Sequence, residues 1–251
     1  MGQHLSIRNV VFGTGVPKIC VPVGGSTPED IFEEIAMAKD QKADLIEWRA
    51  DCFAGLTESD KVQSFLGQLR RKAGEMPLLF TWRTEDKNLT VDVGLYKEMN
   101  LKAIATGQID MVDIELFMGA DICREISEAA QANGVKVIIS NHDFTGTPPV
   151  AEIIRRMQMM REYGADIPKM AVMPFTPQDV IVLLQATAEY GGAYATGPFI
   201  TMSMKKVGAV SRISGETFGS AVTFGSIKKA SAPGQLTVKD LKHILNVLHN
   251  N

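Results

Sequence analysis

Lys169 sits inside an otherwise apolar run, GADIPKMAVMP at residues 164 to 174. An isolated buried charge is costly, so an ammonium placed there either snorkels to water along its own stem or serves as a reactive amine. Apolar surroundings disfavour the charged form, and the free amine is a nucleophile toward a carbonyl. A second candidate is His142, in IISNHDF immediately after another apolar run. The other three histidines lie near the start (His4) or in the terminal helical segment (His243, His249), where solvated roles are the ordinary ones. An imidazole at the end of a strand can act as general base and then as general acid near neutral pH. A lysine imine on a ketone acidifies the adjacent carbon, and a histidine beside it can remove that proton. Together they suit aldol cleavage, retro-aldol chemistry or β-elimination of water.

The elements that must position these groups repeat along the chain. A short apolar strand, a polar loop and an amphipathic helix recur, with strands expected at 18–23, 43–49, 77–83, 110–116, 135–140, 167–172, 198–204 and 221–226. Their starts fall about one βα unit apart. They read as apolar runs more than as alternating ones, as in a parallel sheet buried on both faces. Thr27 is placed to cap a helix with Pro28 at its first position, and Thr237 to cap the last one. Eight units without a low-complexity linker predict one α/β domain over 1–251, a (β/α)8 TIM barrel, with a hairpin in 5–15 closing the bottom. In such barrels chemistry gathers at the C-terminal ends of the strands. Those ends carry Glu47, Arg49, Arg83, Asp113, Glu115, His142, Asp143 and Lys169, followed by Arg212, Ser231 and Gln235 in the last loops. Any one of them can be a structural ion pair; charged or titratable groups brought to one end by so many units are the stronger sign.

Composition narrows the partners. A net charge of -3 gives no electrostatic reason to expect nucleic acid or an anionic membrane. No apolar run is long enough to span a bilayer and no secretory signal pattern opens the chain. Three cysteines, Cys20, Cys52 and Cys123, lie far apart without a CxxC pair, which points to reduced thiols and a cytoplasmic location.

Several segments together resemble the type I 3-dehydroquinate dehydratases of the shikimate pathway. They are DLIEWRAD (44–51), PLLFTWRT (77–84), DMVDIELF (110–117), IISNHDF (138–144), ADIPKMAVMP (165–174), the long run from Thr201 to Gly225, and KKASAPGQL (228–236). Their order and spacing agree over nearly the whole chain. The resemblance implies a barrel lyase without metal or diffusible cofactor, acting on 3-dehydroquinate as a homodimer. The reaction implied is syn elimination of water through a lysine Schiff base to give 3-dehydroshikimate, the third step toward chorismate and the aromatic amino acids; the same chemistry serves quinate breakdown. By motif, Lys169 forms the imine and His142 moves the protons. Arg212 binds the carboxylate, Ser231 and Gln235 close a lid, and Glu47, Arg49 and Arg83 hold the ring hydroxyls.

Two positions depart from the family pattern. Many members carry a glutamate four residues after the third-strand arginine, paired with the histidine, where this chain has Lys87. Glu85 or Asp86 on a shifted loop, or Glu115, is then expected to supply the partner. Pro22 stands where some members have a serine, removing a hydroxyl from that rim. Two other readings compete: another Schiff-base barrel lyase such as a class I aldolase, which shares the lysine strand, and a barrel that has lost catalysis.

Overall fold

A computed structural model describes residues 4–53, 59–85, 92–227 and 234–250, and the backbone alone of 59–61. Two short strands, β1 (Leu5–Ile7) and β2 (Val10–Phe12), form the expected antiparallel hairpin. An eight-stranded parallel sheet follows, built from β3 (Lys18–Val23), β4 (Leu45–Arg49), β5 (Leu78–Thr81), β6 (Met111–Glu115), β7 (Lys136–Asp143), β8 (Ile167–Val172), β9 (Ile200–Ser203) and β10 (Val222–Phe224). Each strand from β3 to β8 pairs with the next in sequence, and β10 returns to pair with β3. The seam between β9 and β10 is thinner. A single bridge joins Phe199 to Ser220, where the Ala221 amide donates to the Phe199 carbonyl at 2.8 Å. Ser220 adds a side-chain tie by accepting the Thr201 amide at 3.0 Å.

The connecting helices include α1 (Pro28–Asp40), α2 (Ser59–Ala73), α3 (Val93–Ala105), α4 (Ala120–Ala132), α5 (Val150–Glu162) and α6 (Pro177–Ala193). Two single-turn helices, α7 (Val210–Ile213) and α8 (Gly215–Phe218), follow β9, and α9 (Val238–His249) follows β10. Their starts obey capping chemistry. The Thr27 hydroxyl accepts the Asp30 amide with Pro28 in the first turn, and Thr237 accepts the Asp240 amide. Among the described residues no helix is long and apolar enough to cross a membrane.

Alternation along the strands separates two cores. Outward residues such as Ile46, Trp48, Phe80, Val112, Ile139 and Met170 pack against the helices. Inward residues at the lower end, among them Cys20, Leu45, Leu79, Met111, Ile138 and Ile167, form a second apolar cluster. The hairpin completes that cluster with Ile7 and the fully buried Phe12. Arg8, at its turn, donates to Asp110 at 2.6 Å and Glu75 at 3.2 Å, residues just below β6 and β5. The hairpin therefore closes the N-terminal end of the barrel.

Strands β3 and β8 match the expected spans at both ends, and β4 matches at its C-terminal end, Arg49. Strand β7 differs. Its ladder to β8 continues through His142 opposite Ala171 and Asp143 opposite Val172, so His142 is a strand residue and not part of the loop after it. The strand's parity, and not a loop path, thus sets the direction of the imidazole.

Candidate active site

The inward positions change character along each strand: Leu45 gives way to Glu47 and Arg49, Leu79 to Thr81, Met111 to Asp113 and Glu115, Ile138 to Ser140 and His142. Above the apolar plug the barrel interior becomes a buried ionic layer, and Lys169 belongs to it. Only 3% exposed, Lys169 pairs through Nζ with Asp113 Oδ2 at 2.9 Å, with Glu47 Oε1 at 3.7 Å. Its ammonium lies 4.7 Å from the centroid of the Phe224 ring, a cation–π contact. Glu47 is held in turn by the Thr81 hydroxyl, which donates to Oε1 at 2.9 Å. Burial alone would raise the Asp113 carboxyl, but Arg83 and Lys169 outweigh it and hold the group below the usual carboxylate range.

One layer higher, His142 Nδ1 lies 2.8 Å from Glu85 Oε2, which also accepts the His142 backbone amide at 2.9 Å. An oxygen already accepting one N–H is best matched by a second donor, which makes Nδ1 the protonated nitrogen and leaves the Nε2 lone pair free. Burial first, then Arg83 and Lys169, pushes the imidazole well below its ordinary value. Burial also pushes Glu85 up to about 7. Glu85 is thus the acid that meets His142. Glu115 is turned away: it accepts from Arg83 Nη1 at 3.1 Å, from the Thr84 amide at 2.8 Å and from the Thr84 hydroxyl. Asp86 and Lys87 lie outside the described residues.

The three arginines differ in what they meet. Arg49 forms a two-pronged pair with Asp51, at 2.8 and 2.9 Å. Arg83 is tied into the ionic layer, donating to Ser140 Oγ at 2.8 Å and pairing with Asp113 at 2.8 Å through Nη2. Arg212 is 5% exposed, and among the described residues no carboxylate pairs with it; Nη1 touches only the Met202 sulfur at 3.9 Å. Burial lowers its affinity for its proton, yet a guanidinium still stays charged, so an uncompensated cation faces inward. An anion is the group it lacks.

These side chains meet at one open cleft that encloses about 690 Å³ of empty space, part of it continuous with solvent. Glu47, Arg49, Arg83, His142, Lys169, Arg212 and Gln235 all line it, Pro22 forms part of its rim, and Phe144, Met202, Met204 and Phe224 supply apolar walls. Ser231 and Pro233 lie outside the described residues, so the lid expected around them is represented here by Gln235. Asp51, Ser140 and Asn141 join the site beyond the residues the sequence points to. Ser140 donates to Asp113 at 2.6 Å, and the period-two spacing Ile138–Ser140–His142 was the signal that placed it inward. Among the described residues no group of three or more His, Cys, Asp or Glu side chains is placed to hold a metal ion.

A parallel barrel with a polar cleft at the C-terminal ends of its strands is the architecture of a (β/α)8-barrel enzyme. The family model for type I 3-dehydroquinase matches residues 19–251. The 3-dehydroquinate dehydratase of Clostridium novyi (strain NT) is 49% identical over 250 residues, covering 99% of each chain. That of Salmonella typhimurium (strain LT2) is 45% identical over 249 residues, covering 98% of this chain and 99% of the other. Among solved structures, the type I 3-dehydroquinate dehydratase from Clostridium difficile with covalently modified comenic acid superposes with a TM-score of 0.96 at 44% identity, covering 100% of this chain and 99% of that one. The chain belongs to the type I 3-dehydroquinase family. This membership sets aside the class I aldolase reading.

Proposed function

We propose that the protein dehydrates 3-dehydroquinate to 3-dehydroshikimate by syn elimination through an imine on Lys169. The observation that carries this reading is the meeting, in one cleft, of a buried lysine amine, a free imidazole Nε2 and an unpaired guanidinium. Arg212 takes the substrate carboxylate, a planar match for its fork. This docking points the ring ketone toward Lys169. Neutral His142 takes the proton that the Lys169 ammonium sheds as the amine attacks. The amine adds to the ketone carbon. The resulting oxygen leaves as water with one proton from the nitrogen and the one His142 held, which gives the cationic imine and a neutral His142. The cationic imine acidifies C2, His142 Nε2 takes a C2 proton, and the electron pair expels the C1 hydroxyl, which leaves as water with that proton. A second water hydrolyses the product imine and restores the amine, so one water is lost overall.

Glu47, Arg49 and Arg83 hold the ring hydroxyls at the rim of the ionic layer, and Gln235 with Ser231 covers the bound ring. The reaction is placed as the third step toward chorismate and the aromatic amino acids. In the same reading residues 1–251 form one barrel domain, acting as a homodimer in the cytoplasm and needing no metal or cofactor.

Borohydride reduction tests the imine. Added with 3-dehydroquinate, it is expected to raise the intact mass by one ligand and to place that ligand on Lys169, whereas borohydride alone leaves the activity intact. Lys169→Ala is expected to give no adduct and almost no turnover. Lys169→Arg should fail equally, because a guanidinium is a poor nucleophile. A label on another lysine, or persistent turnover in Lys169→Ala, would overturn the assignment.

A further inference from the structure

Outside the cleft, on the helix that follows the histidine strand, Arg156 of α5 makes an unusual set of contacts. Its Nη1 donates to Asn141 Oδ1 and to Asp143 Oδ2, each at 2.9 Å, and its Nε donates to Glu152 at 2.7 Å. The guanidinium also lies 5.5 Å from the Phe117 ring centroid, and its side chain is only 15% exposed. Asn141 shares the outward parity of Val137 and Ile139 on β7, yet its Nδ2 reaches Glu85 Oε1 at 3.1 Å. A hydrogen-bonded chain therefore runs from α5 to the imidazole: Arg156 to Asn141, Asn141 to Glu85, Glu85 to His142.

The order of donors in this chain is set at Arg156. A primary amide presents an acceptor or two donors according to which way it is turned, and the two orientations have nearly the same shape. A guanidinium can only donate. Asn141 must therefore turn Oδ1 to Arg156 and its NH2 to Glu85, where an ionised carboxylate is the matching acceptor. We infer that Arg156 is a positioning residue of the reaction: by pinning the Asn141 amide it keeps the Glu85 carboxylate aimed at His142 Nδ1, so that Nε2 remains the base.

Without the guanidinium the amide is free to turn round and set its oxygen against Glu85, a contact tolerated only when that carboxyl carries a proton. The charged and titratable groups facing Glu85 among the described residues are Arg83 at 3.8 Å, Glu115 and His142. Burial already brings Glu85 up to about 7, against the hydrogen bonds from Asn141 and the His142 amide that draw it down. Exchanging the Asn141 donor for an acceptor removes one of these opposing bonds and moves the protonation of Glu85 toward higher pH.

The inference rests on His142 being the base, and its test separates the two claims. In the full-length protein, Arg156→Gln is expected to lower kcat by about ten-fold, the scale on which hydrogen-bonded partners of reacting groups act. KM should stay within about two-fold and the acid limb of kcat should move up by half a pH unit or more. Arg156→Lys, still a pure donor, should recover most of the loss. In a Glu85→Gln background Arg156→Gln should have no further effect, since its target is gone. Asn141→Asp keeps the partner of Arg156 while replacing the donor to Glu85 with an acceptor, so it should move the acid limb at least as far, even if Arg156→Gln folds poorly. An unmoved acid limb in both variants, or equal losses from Arg156→Gln with and without Glu85, would overturn the role of Arg156. Wild-type turnover in His142→Ala would instead overturn the underlying mechanism.

Discussion

His142 and Glu85 titrate as one unit, because a single carboxylate oxygen faces both the ring Nδ1 and the backbone amide of the same residue. Above neutrality the carboxylate accepts from Nδ1–H and Nε2 is bare. On acidification the pair takes up one proton, and its location does not change the outcome at the base. If Glu85 holds it, the carboxyl donates to Nδ1 and the ring hydrogen moves to Nε2; if the imidazole holds it, both nitrogens carry hydrogen. Burial raises Glu85 to about 7 and keeps the imidazole well below its ordinary value, so the first placement wins. In a pH profile, kcat is therefore expected to fall as the pH drops through about 7. Glu85→Gln should lower the plateau and carry the acid limb downward, because the remaining imidazole is held low by burial, Arg83 and Lys169. A limb that stays near 7 in that variant would show that some other group titrates. From sequence alone the partner acid was left among Glu85, Asp86 and Glu115, since the choice turns on how the chain leaves β5 and no residue type announces that path.

Elements carry the site through the alternation of inward and outward residues. Strands β3 and β8 were legible to their ends because Pro, Gly and polar residues bound compact apolar runs. The runs hid the inward set, however, since outward residues such as Ile46, Trp48 and Val112 are apolar too and blur a period of two. Asp113 was visible as a charged strand residue, but its pairing with Lys169 joins β6 to β8 across the barrel and no local pattern specifies it. The seam between β9 and β10 gives an element-scale prediction. Ser220→Ala removes the acceptor of the buried Thr201 amide where a single bridge holds the two strands. It is expected to cost about 1–3 kcal/mol, the penalty for a buried polar group left unpaired, read as a lowered midpoint in urea unfolding. An unchanged midpoint would mean that the seam does not depend on this side chain.

Across the whole molecule the two ends of the barrel divide their tasks: the apolar plug holds the structure and the ionic layer does the chemistry. Phe12, fully buried in the hairpin that closes the N-terminal end, is not among the residues that line the cleft. Phe12→Ala should therefore destabilise by about 3–5 kcal/mol, as for a large side chain removed from a packed core. At a temperature where the variant remains folded, KM and kcat should stay near those of the parent. A selective loss of turnover without loss of stability would contradict that division.

The alternation of inward and outward residues also limits how such a chain can change its length over evolution. Deleting one residue within β8 ahead of Lys169 would present its ammonium to the helices and turn an apolar neighbour into the cleft, and a similar slip in β7 would invert His142 against Asn141. Loops escape this rule. The acid beside His142, Glu85, comes from the connection after β5, and a connection can shorten or lengthen without reversing a side chain's face. Insertions and deletions among natural variants are thus free to accumulate between the strands, while within them only substitution is available.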